Sequence, residues 1–283
     1  MHLIDINDKS SIEKLIKELQ PDELYHLAAQ SFVFLSFTNT QETYDTNIGG
    51  TLNIINAVRE FSPKTRVYFA GSSEMFGRSN KSPYTEETPF CPESPYAISK
   101  VSGFWIMKKY RENYGIFAAN GILFNHESEM RGKDFVTKKI ALGVANISRG
   151  KQEFIELGNI DSKRDWGYAK DYVKGMWLML QQKKASDYVI ATGEAHSIRD
   201  FVEEAFKITG VKIKWRGSGV NEEGINEKTG KVIVKINPAF CRPVDSACVV
   251  GDYSKAKRDL GWEPKIKFKE LVRIMVENEL KQN

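Results

Sequence analysis

With 283 residues, 41% of them hydrophobic, the chain is long enough for one large or two modest domains built on a real core. Its 41 basic and 37 acidic residues leave a net charge of +4 with no basic stripe, which argues against a nucleic-acid binder and suits an anionic small molecule without requiring one. Its 3 cysteines (Cys91, Cys241, Cys248) lack CxxC spacing, so neither a disulfide framework nor a metal site is expected, and no apolar run approaches the roughly 20 residues of a membrane span.

Taken in chain order, the pattern alternates strand and helix. Met1–Asn7 reads as a short strand with Asp5 at its end, and Glu23–Ala29 as a second strand. Thr43–Phe61 reads as a helix in spite of Gly49 and Gly50, and Arg66–Ser72 as a buried strand. Pro95–Tyr114 is a long helix, with Ser94 as its cap and Gly115 as its stop. Phe117–Phe124 is a strand and Phe135–Arg149 a helix. Strands joined by helices of this length imply parallel pairing with right-handed crossovers.

Beyond Gly150 the texture changes. Short strands (Glu153–Leu157, Tyr188–Thr192, Lys212–Trp215) mix with helices (Lys170–Gln182, Ile198–Thr209, Leu271–Leu280), and Gly217–Lys231 reads as an exposed loop or hairpin. The fold class expected is α/β: a doubly wound, Rossmann-like parallel sheet over residues 1–150, then a smaller mixed lobe over 151–283 with some elements returning to the first domain. The glycine-rich turn that opens a dinucleotide fold is not found, so the first residues resemble a later strand, and an N-terminally truncated form is the expectation. On that reading this chain alone binds its cofactor poorly. No basic region precedes an apolar run at Met1–Ser10, so a cytoplasmic protein is expected.

The sharpest chemical signal is Ser72-Ser73-Glu74 at the end of a buried strand, followed by Tyr96 and Lys100. Strand carboxyl ends face the ligand crevice of a parallel sheet. Tyr96 and Lys100 lie one helical turn apart and share a face. An ammonium beside a phenol favours phenolate, and such a tyrosine can take a proton from a sugar hydroxyl. The same YxxxK spacing recurs at Tyr253–Lys257, which reads as surface helix.

The strand-end serine with Tyr96 and Lys100 resembles the extended short-chain dehydrogenase/reductase superfamily. Leu27-Ala28-Ala29-Gln30-Ser31 resembles its cofactor-lining segment; Arg242-Pro243, Asp245, Gly251-Asp252 and Leu260-Gly261-Trp262 resemble its C-terminal substrate lobe. Ser73-Glu74, Asn120–Ser128 with Arg131-Gly132, and Leu157–Val173 are close to signatures of the GDP-mannose dehydratase family. The resemblance covers essentially the whole chain. It implies Asp5 and Ile6 bordering the adenosine of NADP; Leu27, Ala28, Ala29, Gln30, Ser31, Lys100, His126 and Arg131 contacting that cofactor; and Ser73, Asn125, Arg164 and Arg242 holding the nucleotide sugar. Departures are Ser72 in place of the usual threonine, Phe32 in place of a histidine, and Glu42 in place of a tyrosine.

The reaction so implied is loss of water from GDP-mannose, with Tyr96 and Lys100 acting on the C4 hydroxyl, Ser72 on the C4 oxygen and Glu74 on the C5 hydrogen. Three classes stay open on the sequence alone: the dehydratase, a related nucleotide-sugar epimerase or reductase, and a noncatalytic binding or scaffold fragment. The apolar residues Ile98, Val101, Phe104, Trp105 and Met107 exceed one helix face, so a homo-oligomer is expected.

Overall fold

The computed structural model describes residues 1–79, 82–241 and 250–282. In chain order the elements are α1 (Lys9–Leu19), β1 (Glu23–His26), α2 (Leu35–Thr38), α3 (Thr40–Tyr44), a π-helical turn (Asp45–Gly49), α4 (Gly50–Phe61) and β2 (Arg66–Ala70). A 3-10 turn (Ser73–Phe76), α5 (Pro95–Tyr114), β3 (Ala118–Leu123), β4 (Asn125–Glu127), α6 (Val136–Ser148), β5 (Ile155–Leu157), β6 (Lys163–Arg164) and β7 (Trp166–Tyr168) follow. The remainder is α7 (Ala169–Leu180), β8 (Asp187–Ile190), β9 (His196–Ser197), α8 (Ile198–Ile208), β10 (Ile213–Arg216), β11 (Glu223–Asn226), β12 (Val232–Ile236), α9 (Ser254–Leu260) and α10 (Phe268–Lys281).

Two compact units divide the chain. The first takes 1–124, 172–191 and 251–263. Its sheet runs β1-β2-β3-β8, every pair parallel. Alternation along β2 explains the two covered faces: Val67 and Phe69 pack with α1, α4 and α5, while Tyr68 packs with α7, α9 and Trp262. β8 is the outer strand on one side, and Glu86 accepts the Val189 N–H at 2.8 Å, satisfying a donor that no strand pairs.

The second unit takes 125–171, 192–250 and 264–283. Its four-stranded sheet runs β10-β11-β12-β5, antiparallel except for the β12/β5 pair, and α6, α8 and α10 close its core. Two short ladders, β4/β7 and β6/β9, complete it. The hairpin β11/β12 occupies much of the stretch expected to be exposed loop or hairpin.

Two sequence expectations differ from this arrangement and a third is refined by it. Met1–Asn7 is not a strand: Asp5 turns back to accept the Asn7 N–H at 2.9 Å, and Asn53 of α4 donates to Ile6 O at 3.1 Å, so the segment is coil pinned to a helix. Thr43–Phe61 is helical throughout as expected, but a π-helical turn changes its hydrogen bonding between α3 and α4. The units divide after Phe124 and not at 150, since Ile140, Ala141 and Val144 of α6 belong to the second core whereas α7, β8 and α9 return to the first. For the same reason the Gly251 and Leu260-Gly261-Trp262 motifs lie in the first unit, with Gly261 (φ 63) ending α9 and Trp262 buried beneath it.

Candidate active site

In the first unit the site starts from how closely α5 approaches β2. Ser94 caps α5 by accepting the Ala97 N–H at 3.1 Å, and Gly115 ends it with φ 68. Tyr96, Lys100 and Gly103 share one helix face. At Gly103 a Cβ would lie 2.3 Å from the Phe69 ring of β2, so only glycine permits this separation. The close approach brings Lys100 to the strand end, where its Nζ donates to Ala70 O at 2.9 Å. The ammonium also stands 5.8 Å from the Tyr96 ring centre and 5.2 Å from that of Phe69.

Burial disfavours the charged amine and brings the Lys100 pKa down to about 8. His26 at the end of β1 is lowered to about 3, first by burial and then by Lys100. Both shifts come first from burial, which makes an added proton costly.

The chain leaves β2 through Gly71, whose Cβ would meet Gly121 O at 2.9 Å, and enters the 3-10 turn. Ser72 caps that turn, its Oγ accepting the Glu74 N–H at 3.2 Å. Ser73 is buried; Ser72 and Glu74 are half-buried. Gly77 (φ 52) closes the turn against Cys91 O, where a side chain has no room. Thus Ser72, Ser73, Glu74, Tyr96 and Lys100 all belong to one unit, at the carboxyl end of β2 and the first turns of α5.

Leu27 to Ser31 follow β1 directly, with Leu27, Ala28 and Ser31 exposed. The polar groups of Gln30 are engaged within the protein: its Oε1 accepts the Phe32 N–H at 2.6 Å, its Nε2 donates to Thr43 Oγ1 at 3.1 Å, and both backbone groups bond Asn47. Gln30 therefore shapes the turn that displays its neighbours. Asp5 is exposed and Ile6 half-buried against Gly50. Phe32 is exposed, and Glu42 accepts from the Asn39 side chain at 3.1 Å.

In the second unit, Asn125 and His126 sit half-buried on β4, opposite Trp166 and Gly167 of β7. Arg131 approaches Glu127, Nε to Oε2 3.1 Å, and lies 3.5 Å over the Phe135 ring. Glu127 is buried and also accepts from Thr137 Oγ1 at 2.7 Å; burial raises its pKa against the opposing pull of Arg131 and Thr137. Arg164 stands opposite His196 in the β6/β9 ladder. Its neighbour Asp165 is buried and accepts the Thr192 N–H (2.8 Å), the Thr192 hydroxyl (2.6 Å) and the Gly193 N–H (3.0 Å). Arg242, Pro243 and Asp245 lie outside the described residues. Tyr253, from the second YxxxK, immediately precedes α9 and packs edge-on against Trp262, while Lys257 pairs with Glu263 on the surface. Among the described residues no group of His, Cys, Asp and Glu could hold a metal, and no helix is long and apolar enough to cross a membrane.

Asn47, Glu127 and Asp165 were not singled out individually by the sequence, although each is buried; Asn47 bonds Gln30, Glu127 pairs with Arg131, and Asp165 adjoins Arg164. Their partners are brought in by the fold, and a lone Asn, Glu or Asp carries no spacing signal.

A family model described as GDP-mannose 4,6 dehydratase matches residues 1–275. The chain is 50% identical to the GDP-mannose 4,6 dehydratase of Drosophila melanogaster, over 99% of this chain and 71% of that protein. Identity is 47% to the Dictyostelium discoideum protein of the same name, over 99% and 79%. It is 45% to that of Sinorhizobium fredii, over 99% and 80%. Among solved structures, RMD from Pseudomonas aeruginosa complexed with NADPH superimposes with a TM-score of 0.86 at 23% identity, covering 100% of this chain and 89% of that one. The dTDP-glucose 4,6-dehydratase of Bacillus anthracis in complex with NAD gives 0.79 at 23% identity, over 99% and 79%. The solved structures establish the fold: a Rossmann-like α/β sheet with a smaller lobe.

Proposed function

This chain belongs to the GDP-mannose 4,6-dehydratase family, and on that premise we propose that it removes water from GDP-mannose to give GDP-4-keto-6-deoxymannose with NADP as cofactor. The epimerase or reductase reading and the noncatalytic reading are not favoured by this membership. One observation carries the assignment of the chemistry: Tyr96 and Lys100 share a face of α5, and the buried Lys100 ammonium is tied to Ala70 O two residues before Ser72.

A nicotinamide cofactor supplies a hydride acceptor that later returns the hydride, so the reaction involves no net oxidation. The residues fit such a group: Lys100 is a buried ammonium with one donor engaged at Ala70 O, and the exposed turn Leu27–Ser31 offers a surface at the carboxyl end of the neighbouring strand. We assign Leu27, Ala28, Ala29, Ser31 and Lys100 to it in the first unit, with Gln30 as the shaping residue and Asp5 and Ile6 toward the adenosine. His126 and Arg131 are assigned to it in the second unit. NADP is the cofactor that the family motifs imply; of the two solved structures with this fold, the Pseudomonas one holds NADPH and the Bacillus one NAD.

Tyr96 takes the proton of the C4 hydroxyl, helped by the Lys100 ammonium, while the Ser72 hydroxyl hydrogen-bonds the C4 oxygen. A C4 ketone makes the C5 hydrogen acidic. Glu74 removes that proton and, now protonated, delivers it to the C6 hydroxyl, which departs as water. The proton that Tyr96 took from the C4 hydroxyl balances the one that C5 regains. Ser73 and Asn125 orient the sugar, and the guanidinium of Arg164 suits the diphosphate because its planar fork pairs with two oxygens. Arg242 is assigned to the same task by its motif.

Deuterium exchange at C5 separates the stages. Glu74→Gln should permit C4 oxidation but stop exchange and elimination, and normal exchange with turnover in this variant removes Glu74 as the base. Tyr96→Phe should lower turnover at least about 10²-fold, the lower range for loss of a general base. Tyr253→Phe should leave it unchanged.

A further inference from the structure

β6 carries Arg164 on a ladder of two residue pairs, Lys163 with Ser197 and Arg164 with His196, which is too short to hold a strand by itself. What holds it lies at the start of α8. Ser197 and Asp200 form a capping box there: the Asp200 carboxylate accepts the Ser197 N–H at 2.8 Å, and the Ser197 hydroxyl accepts the Asp200 N–H at 3.0 Å. The two N–H groups between them have no helical carbonyl to reach, and both are spent on the segment before β6. Ile198 donates to Ser162 O at 3.1 Å and Arg199 to Ile160 O at 2.8 Å.

The side chain of Arg199 takes the residue between those two carbonyls. Its Nε and Nη2 donate to Asp161 Oδ1 at 3.1 and 2.8 Å, while Nη1 and Nη2 donate to the two carboxylate oxygens of Glu222 at 2.7 and 3.1 Å. The guanidinium carbon stands 4.6 Å from the centre of the Trp215 ring on β10, and Trp215 Nε1 donates in turn to Glu203 of α8 at 2.7 Å. The two carboxylates play unequal parts, because the side chain of Glu222 is 13% exposed and that of Asp161 70%. An open ion pair on a free arginine holds almost nothing. Here the guanidinium is already fixed by Glu222 and Trp215, so its remaining donors can hold Asp161 at little further cost in side-chain freedom. Lysine, a single point charge on a flexible stem, cannot span both carboxylates in this way.

We propose that Arg199 is a positioning residue for Arg164: its fork pins the 160–164 segment between α8 and the β10/β11 hairpin and thereby sets where the Arg164 guanidinium meets the diphosphate of the nucleotide sugar. The inference rests on the assignment of Arg164 made above. Arg199 acts through Asp161 and not on the ligand itself. Two-point pairing of a guanidinium with a diphosphate needs a set orientation, so a loosened segment weakens that contact even with Arg164 present.

Ligand affinity of the full chain tests the role without turnover. GDP and guanosine share the base and ribose, but only GDP presents a diphosphate. Asp161→Ala, a change at an exposed position, should cut the preference for GDP over guanosine about tenfold and leave guanosine affinity unchanged. Electrostatics alone moves this variant the other way, since losing a negative charge favours a diphosphate. Arg199→Lys, which keeps the charge and loses the fork, should show the same loss. A purely structural role would lower the folded fraction and weaken both ligands alike. In either variant amide hydrogen exchange should rise at least about tenfold at Ile198 and in β6, with α6 and α10 still protected. Wild-type preference in Asp161→Ala together with a lost preference in Arg164→Ala overturns the inference, as does wild-type exchange at Ile198 and β6. Wild-type preference in Arg164→Ala removes the assignment of Arg164 to the diphosphate, and the inference with it.

Discussion

At the scale of single residues, two buried charged groups, Lys100 and Asp165, carry the sharpest expectations. Lys100 is a buried cation whose native pKa, about 8, lies below its ordinary 10.5. Between those values the unfolded chain still binds a proton that the native chain has released, so native stability should rise with pH across that window. The gain is at most about 3 kcal/mol by linkage, and Lys100→Met should lack it. Urea unfolding of both proteins at pH 7 and pH 10 reads the difference; parallel curves would mean that Lys100 is not desolvated. Asp165 supports the second unit in another way. Three donors from Thr192 and Gly193 converge on its carboxylate, and Asp165→Ala should destabilise by about 3 kcal/mol because it leaves the N–H and hydroxyl of Thr192 buried without their acceptor. A loss below about 1 kcal/mol would show that water replaces the carboxylate.

Elements matter here through their separation. α5 can carry Tyr96 and Lys100 to the strand end only because Gly103 lets the helix rest on the Phe69 ring. Gly103→Ala should push the helix outward, with a stability loss of about 1–3 kcal/mol for overpacking and a larger fractional loss of turnover, because the displaced face bears the proton-transfer group. Adding Phe69→Leu should restore part of both. Failure of that second change to recover turnover, with stability recovered, would show that α5 is positioned by something other than this contact. The π-helical turn is the other element-scale device: the helix expected over Thr43–Phe61 runs through it and widens by one residue where Asn47 faces inward.

For the molecule as a whole, two faces of α5 carry different fates. Phe104 and Met107 are buried within the first unit, while Ile98 and Trp105 stay exposed, as do Phe32, Phe34, Leu35 and Phe37. So many large apolar side chains outside a core are the mark of an interface. We therefore expect a two-fold dimer of this chain in solution. Light scattering at micromolar concentration should give about twice the 32.2 kDa of one chain, and Ile98→Glu with Trp105→Glu should reduce it to that value. A wild-type monomer would remove the expectation.

What the sequence determined on its own was everything carried by short-range rules. Ser94 and Gly115 bound α5 as their capping chemistry requires, Tyr96 and Lys100 share a face by helical period, and the buried strand expected over Arg66–Ser72, which runs Arg66–Ala70, shows in the β-formers Val67, Tyr68 and Phe69. The family was legible for the same reason, since its motifs are contiguous. Tertiary structure alone decided the rest. The grip of Asn47 on Gln30 and Ser99, the convergence of Thr192 and Gly193 on Asp165, and the return of α7, β8 and α9 to the first sheet all join residues far apart in the chain. No local period encodes such pairings. They follow from close approaches, Gly103 on Phe69 and Gly71 on Gly121, that depend on which surfaces the sheet brings together. The first residues failed as a strand for that reason too: Ile6 had a helix to pack against, and Asp5 had its own turn to close.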